Sequence, residues 1–158
     1  MGCDIHMCAE HRQKNGEWVR VLPPEHAYDP WLVENGWDAD AVQTWYANRN
    51  YALFGVLAGV RSYDDTDPIS RVRGLPEDLS DEVSEIAFDD GAGDLFWLGD
   101  HSHTWLTLDE ILAYDWDRPH AHTTLREWCS EFLTRTVPAL QALDPDPRNV
   151  RLVFGFDS

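Results

Sequence analysis

His101 and His103 stand one residue apart in the run Gly99-Asp100-His101-Ser102-His103-Thr104-Trp105. Neutral imidazole ligates zinc, manganese, iron and nickel, and it also hydrogen-bonds anions. On an extended strand alternate side chains share a face, so this spacing predicts that both rings project the same way. The N-terminal run Asp4-Ile5-His6-Met7-Cys8 alternates similarly and aligns Asp4, His6 and Cys8. Asp157, near the C-terminus, adds a carboxylate. The expected site joins Asp4, His6, His101, His103 and Asp157 around one divalent metal ion, zinc or manganese. Three or four such ligands with one open position would polarise water for hydrolysis. The competing reading makes these histidines ordinary hydrogen-bonded side chains.

Five arginines, Arg49, Arg61, Arg71, Arg73 and Arg151, stand out in an acidic chain. Guanidinium binds phosphate and carboxylate in bidentate fashion. Arg49, Arg61, Arg73 and Arg151 are the expected anion-binding set, converging on the histidine site to hold a small anionic ligand such as a nucleotide. Against this stands internal pairing with the more numerous carboxylates. Cys3 and Cys8 read as small buried filler. A Cys8–His6 nucleophilic pair is the weakest of the chemical readings. His120-Ala121-His122 repeats the His-x-His spacing but follows Pro119 at an expected helix start, and reads as surface.

The elements that must position these residues follow from periodicity. Residues 3–10 alternate as a strand with one buried face, with Cys3, Ile5, Met7 and Ala9 inward. Lys14-Asn15-Gly16 turns it into a second strand ending at Pro23-Pro24, a β-hairpin. A short helix is expected near Asp38. The segment from Asn48 is helical, with Gly59 as its C-cap. Ser80-Asp81-Glu82 starts a short helix. Thr107 and Glu110 form a capping box. A longer helix is expected over 123–136, burying Leu125, Trp128, Cys129, Phe132 and Leu133 on one stripe and ending or kinking at Pro138. Asp144-Pro145-Asp146-Pro147 is a rigid turn. Residues 150–157 form a central strand beside the N-terminal hairpin. The fold class is α+β, a small antiparallel sheet (N-terminal hairpin plus C-terminal strand) with helices packed on it, in one domain over 1–158.

The chain of 158 residues carries 12 basic and 29 acidic side chains, for a formal net charge of -17. That charge argues against direct binding to a nucleic-acid backbone. It suits docking onto a basic partner and leaves room for a local basic pocket. Eight Trp can fill a core, and several can line a cleft. The run from Glu77 to Asp94 reads as a solvated acidic face or a surface for a basic host protein. Three cysteines without framework spacing imply a reducing cytoplasm. The N-terminus lacks a signal-peptide pattern, and no apolar run approaches the ~20 residues that span a bilayer.

Met1-Gly2-Cys3-Asp4-Ile5-His6, Arg49-Asn50-Tyr51-Ala52-Leu53-Phe54, Gly59-Val60-Arg61, Arg73-Gly74-Leu75-Pro76, His101-Ser102-His103-Thr104-Trp105 and Val150-Arg151-Leu152-Val153-Phe154 together resemble an uncharacterised family of phage and bacterial proteins. The resemblance implies a phage or prophage setting, in which small acidic proteins modulate host functions. It transfers no catalytic residues. The function expected from the residues is that of a metal-binding protein, with metal-dependent hydrolysis of a small phosphorylated or nucleotide-like substrate as the reaction such a site would carry. The alternative is a non-enzymatic acidic inhibitor, or a protein that sequesters a small ligand. Whether the protein is an enzyme stays open at this point.

Overall fold

The computed structural model describes residues 2–24, 34–36, 43–62, 66–87 and 98–158. In chain order the elements are β1 (Asp4–Arg12), β2 (Trp18–Val21), α1 (Tyr51–Ala58), α2 (Asp81–Ala87), β3 (His101–Thr107), α3 (Leu108–Ala113), β4 (Pro119–His120), β5 (Thr123–Thr124), α4 (Leu125–Trp128), α5 (Val137–Gln141) and β6 (Val150–Asp157). The main sheet has the order β2-β1-β6-β3, and each neighbouring pair is antiparallel. The fold is therefore α+β around a small antiparallel sheet, with the C-terminal strand in its centre beside the N-terminal hairpin. The short β4–β5 pair forms a second sheet. The helix expected near Asp38 lies outside the described residues, as do residues 88–94 of the acidic run. Among the described residues, no helix is long and apolar enough to cross a membrane.

The strand pattern explains the main core. Cys3, Ile5, Met7 and Ala9 from the N-terminal strand meet Leu152, Phe154 and Phe156 from β6 and Leu106 from β3, all buried under the helices. The opposite face departs from the expectation of a strand with one buried side. Cys8 and Glu10 are also buried there, at 1% and 0% exposure. Val83 and Ile86 of α2 close over Cys8, Val153 and Leu98 to make a second, smaller apolar cluster. Burial pushes the Cys8 thiol up to about 11, so it is no thiolate nucleophile at neutral pH.

Local chemistry sets the helix ends. Asn50 caps α1 by accepting the Leu53 N–H, and Gly59 closes it at φ +70. Thr107 and Glu110 make the capping box of α3. Ser80 Oγ accepts the Val83 N–H at the start of α2. The long helix expected over 123–136 is not continuous. Thr123 and Thr124 pair with β4, α4 is one turn, and Phe132–Thr136 widens into a π-helix before α5. Val137 N–H reaches back to the Phe132 carbonyl. The wider turn precedes Pro138, which has no N–H and whose ring would clash with a carbonyl four residues back. Pro138 thus sits in the first turn of α5 instead of ending the helix.

Candidate functional site

At one end of the sheet Asp4 lies opposite Asp157 and His6 lies opposite Gly155. Directly opposed residues share a face, so Asp4, His6 and Asp157 do come together. His6 Nε2 is 2.6 Å from Asp157 Oδ2. His103 lies on the same face, across Gly155, where an added Cβ would be 2.6 Å from its Cδ2. The same Cβ would overlap the Leu98 carbonyl oxygen, because the backbone of residues 98–100 crosses the sheet here. Asp100 N–H donates to the Phe156 carbonyl, and His103 Nε2–H donates to the Gly99 carbonyl at 2.8 Å. The crossing chain thus lies beside His103 at the gap left by Gly155.

His101 departs from the expected arrangement. A β-bulge interrupts the pairing between His101 and Thr104, and Ser102 takes φ +56. The extra residue reverses the alternation, so His101 pairs with Phe156 and stacks on its ring with centroids 6.1 Å apart. Its ring nitrogens meet Ser102 Oγ and Ser158 Oγ. His101 and His103 therefore do not share a face. Among the described residues, no three His, Cys, Asp or Glu side chains are grouped as a metal-holding set.

The four expected anion-binding arginines divide between two places. Arg73 and Arg151 lie at the other end of the sheet and are consumed by internal pairing. Arg151, 3% exposed, donates to Glu10 at 2.7 Å and to Asp78 at 2.8 Å, while Ser80 N–H satisfies the second Glu10 oxygen. Arg73 donates to both oxygens of Glu110 and to the Trp105 carbonyl. Arg73's hydrogen bonds hold the Glu110 carboxyl down at about 2. Arg151 also lies 4.0 Å from the Trp18 ring centroid, and Arg73 4.5 Å from that of Trp105. These contacts staple the loop at 73–80 to the sheet.

Arg49 and Arg61, by contrast, line one open cleft of about 510 Å³ between α1 and α4, together with Tyr46, Asn50, Tyr51, His120, Trp128 and Glu131. The N-terminal segment supports two of these residues, Arg49 and Tyr51. Asp4 takes the Arg49 Nε and Nη2 hydrogens in a fork, Gly2 packs against the same guanidinium, and Cys3 N–H donates to the Tyr51 hydroxyl. Arg49's hydrogen bond lowers the Asp4 pKa, so Asp4 is ionised at neutral pH. Arg49 Nη1 lies against Gly2, where an added Cβ would overlap it. Arg61 lies over the Tyr51 ring at 5.8 Å.

Asn50 joins the two walls: its Oδ1 caps α1 while its Nδ2 donates to the Trp128 carbonyl. The Trp128 indole N–H donates to the His120 carbonyl, and the two rings meet edge to face at 5.6 Å. Burial raises the Tyr46 hydroxyl, which stays protonated. Among the described residues three non-glycines have positive φ: Arg61, at +54, lines this cleft, and Ala121, at +52, follows His120, which also lines it. Such backbone strain concentrates at ligand sites.

The sequence singles out Arg49 and Arg61, which line this cleft, but reads His120 as surface and Trp128 as buried. Helical spacing puts Trp128 on the buried stripe, yet the residue is 49% exposed. Thr124 is the helix N-cap, so the helix starts at Leu125 and not at Thr123. Comparison of the chain with protein-family models, curated proteins and solved structures finds no match.

Proposed function

We propose that this protein binds a small phosphorylated ligand in the cleft between α1 and α4. The observation that carries this reading is the placing of Arg49 and Arg61 in one concavity within a strongly acidic chain. Guanidinium suits phosphate, and Arg49 and Arg61 would meet it from the same cleft. A pocket of this size, with few polar groups of fixed position, is typical of small-ligand sites.

The test is calorimetric titration with ribose 5-phosphate. Arg49→Ala should weaken binding about tenfold or more, the loss expected for a charge-assisted hydrogen bond. Arg148→Ala, which breaks an exposed pair with Asp146 elsewhere, serves as the charge-matched control. Equal effects from both variants, or no binding at millimolar ligand, would overturn the proposal. Binding without release of inorganic phosphate would make the protein a sequestering one, and release would make it a hydrolase.

A second reading, a divalent metal ion held near Asp4, His6 and Asp157, is favoured by their shared face beside Arg49. His6 would ligate through Nδ1 while its Nε2–H donates to Asp157. Zinc or manganese there would polarise water or a phosphoryl oxygen for hydrolysis. Elemental analysis of tag-free protein, incubated with zinc or manganese, tests this. His6→Ala should lower bound metal far more than His122→Ala, and equal loss would remove the reading.

A further inference from the structure

We infer that Trp128 is a stacking platform, and that the ligand of the cleft is a nucleoside monophosphate or a close analogue bearing a flat aromatic ring. The inference rests on the phosphate reading above and adds the second half of the ligand. An indole that is 49% exposed leaves a large apolar surface in water. Here the ring is not loose. Its N–H is pinned to the His120 carbonyl, and the His120 ring braces it edge to face. A fixed aromatic ring loses little conformational entropy when a second ring stacks on it.

The anion-binding end lies in the same cleft. Asn50 Nδ2 bonds the Trp128 backbone carbonyl at 2.9 Å, and Arg49 is the residue next to Asn50. Asn50 thus ties together the backbones that carry the two side chains, and both Arg49 and Trp128 line the one cleft. The cleft volume of about 510 Å³ accommodates a base, a ribose and one phosphate within the usual range of such pockets. Arg61, paired with the Tyr51 ring, adds a second cation toward the phosphate end.

The experiment compares adenosine 5′-monophosphate with ribose 5-phosphate on the full chain by calorimetry. The two probes share the sugar and the phosphate and differ in the base. The expected result is that the base tightens binding by about 5- to 150-fold, the increment of one base–aromatic stack. In Trp128→Leu that ratio should fall toward one, and Trp128→Phe should restore most of it. Thermal melts of both variants check the fold. A ratio near one in the wild-type protein, or an unchanged ratio in Trp128→Leu, would overturn the stacking role while leaving the phosphate site standing. Failure of both probes to bind would instead overturn the phosphate site, and this inference with it.

Discussion

Asn50 acts through both ends of one amide. Its oxygen caps α1, and its nitrogen ties α4 to that cap. Loss of an N-cap costs about 0.5–2 kcal/mol, so Asn50→Ala should melt measurably earlier than the wild type. Asn50→Asp keeps a good capping oxygen but cannot donate to the Trp128 carbonyl. It should melt near the wild type and yet shift the Trp128 indole N–H resonance in nitrogen-edited NMR spectra. If Asp melts as early as Ala, the cap is not the oxygen's main role. Gly59 was readable as a helix end because capping depends on neighbours a few positions away, whereas the helix begins after Asn50 and not at Asn48. The partners of Arg73 and Arg151 were not readable in the same way. Glu110, Glu10 and Asp78 lie 37, 141 and 73 positions from them. Composition only indicated that internal carboxylates would compete for guanidinium.

Strand alternation located Asp4, His6 and Asp157 on one face, because period two survives wherever pairing is regular. It failed at Ser102, where one inserted residue turns His101 away from His103. A bulge depends on what the neighbouring strand and the crossing chain require, which no local pattern encodes. Two glycines permit that crossing. Gly99 adopts φ +78, and a Cβ on it would overlap the Phe156 carbonyl; Gly155 leaves room for the Leu98 carbonyl and the His103 ring. Gly155→Ala should therefore destabilise the protein by about 1–3 kcal/mol or more, as overpacking does. Urea unfolding measures it, and a variant within experimental error of wild type would show that the crossing chain is free to move aside. The π-turn before Pro138 belongs to the same class. The proline was legible as a disruption, but the direction of relief was set by the packing of Phe132, Val137 and Leu140 in the core.

Across the whole molecule, α2 and the loop at 73–80 cover the face of the sheet that holds Cys8 and Glu10, and several of the carboxylates are paired with arginine. Glu110 is the clearest case. Its ordinary value of 4.5 falls to about 2 when folded, chiefly because Arg73 donates to it. A depressed folded value gives stability that is complete above pH 4.5 and is lost as pH falls toward 2. Glu110→Gln removes the charge and keeps a capping-box residue. It should be less stable than the wild type at pH 6, and the gap should close on acidification toward pH 2. A gap independent of pH would assign the effect to packing alone. The central claim, that the cleft between α1 and α4 holds a phosphorylated ligand, is tested most directly by anomalous diffraction from crystals soaked with 8-bromoadenosine 5′-monophosphate. The account predicts a bromine peak against the Trp128 ring with phosphate density at Arg49. Ligand density away from this cleft, or an empty cleft at a concentration that saturates the protein in solution, would contradict it.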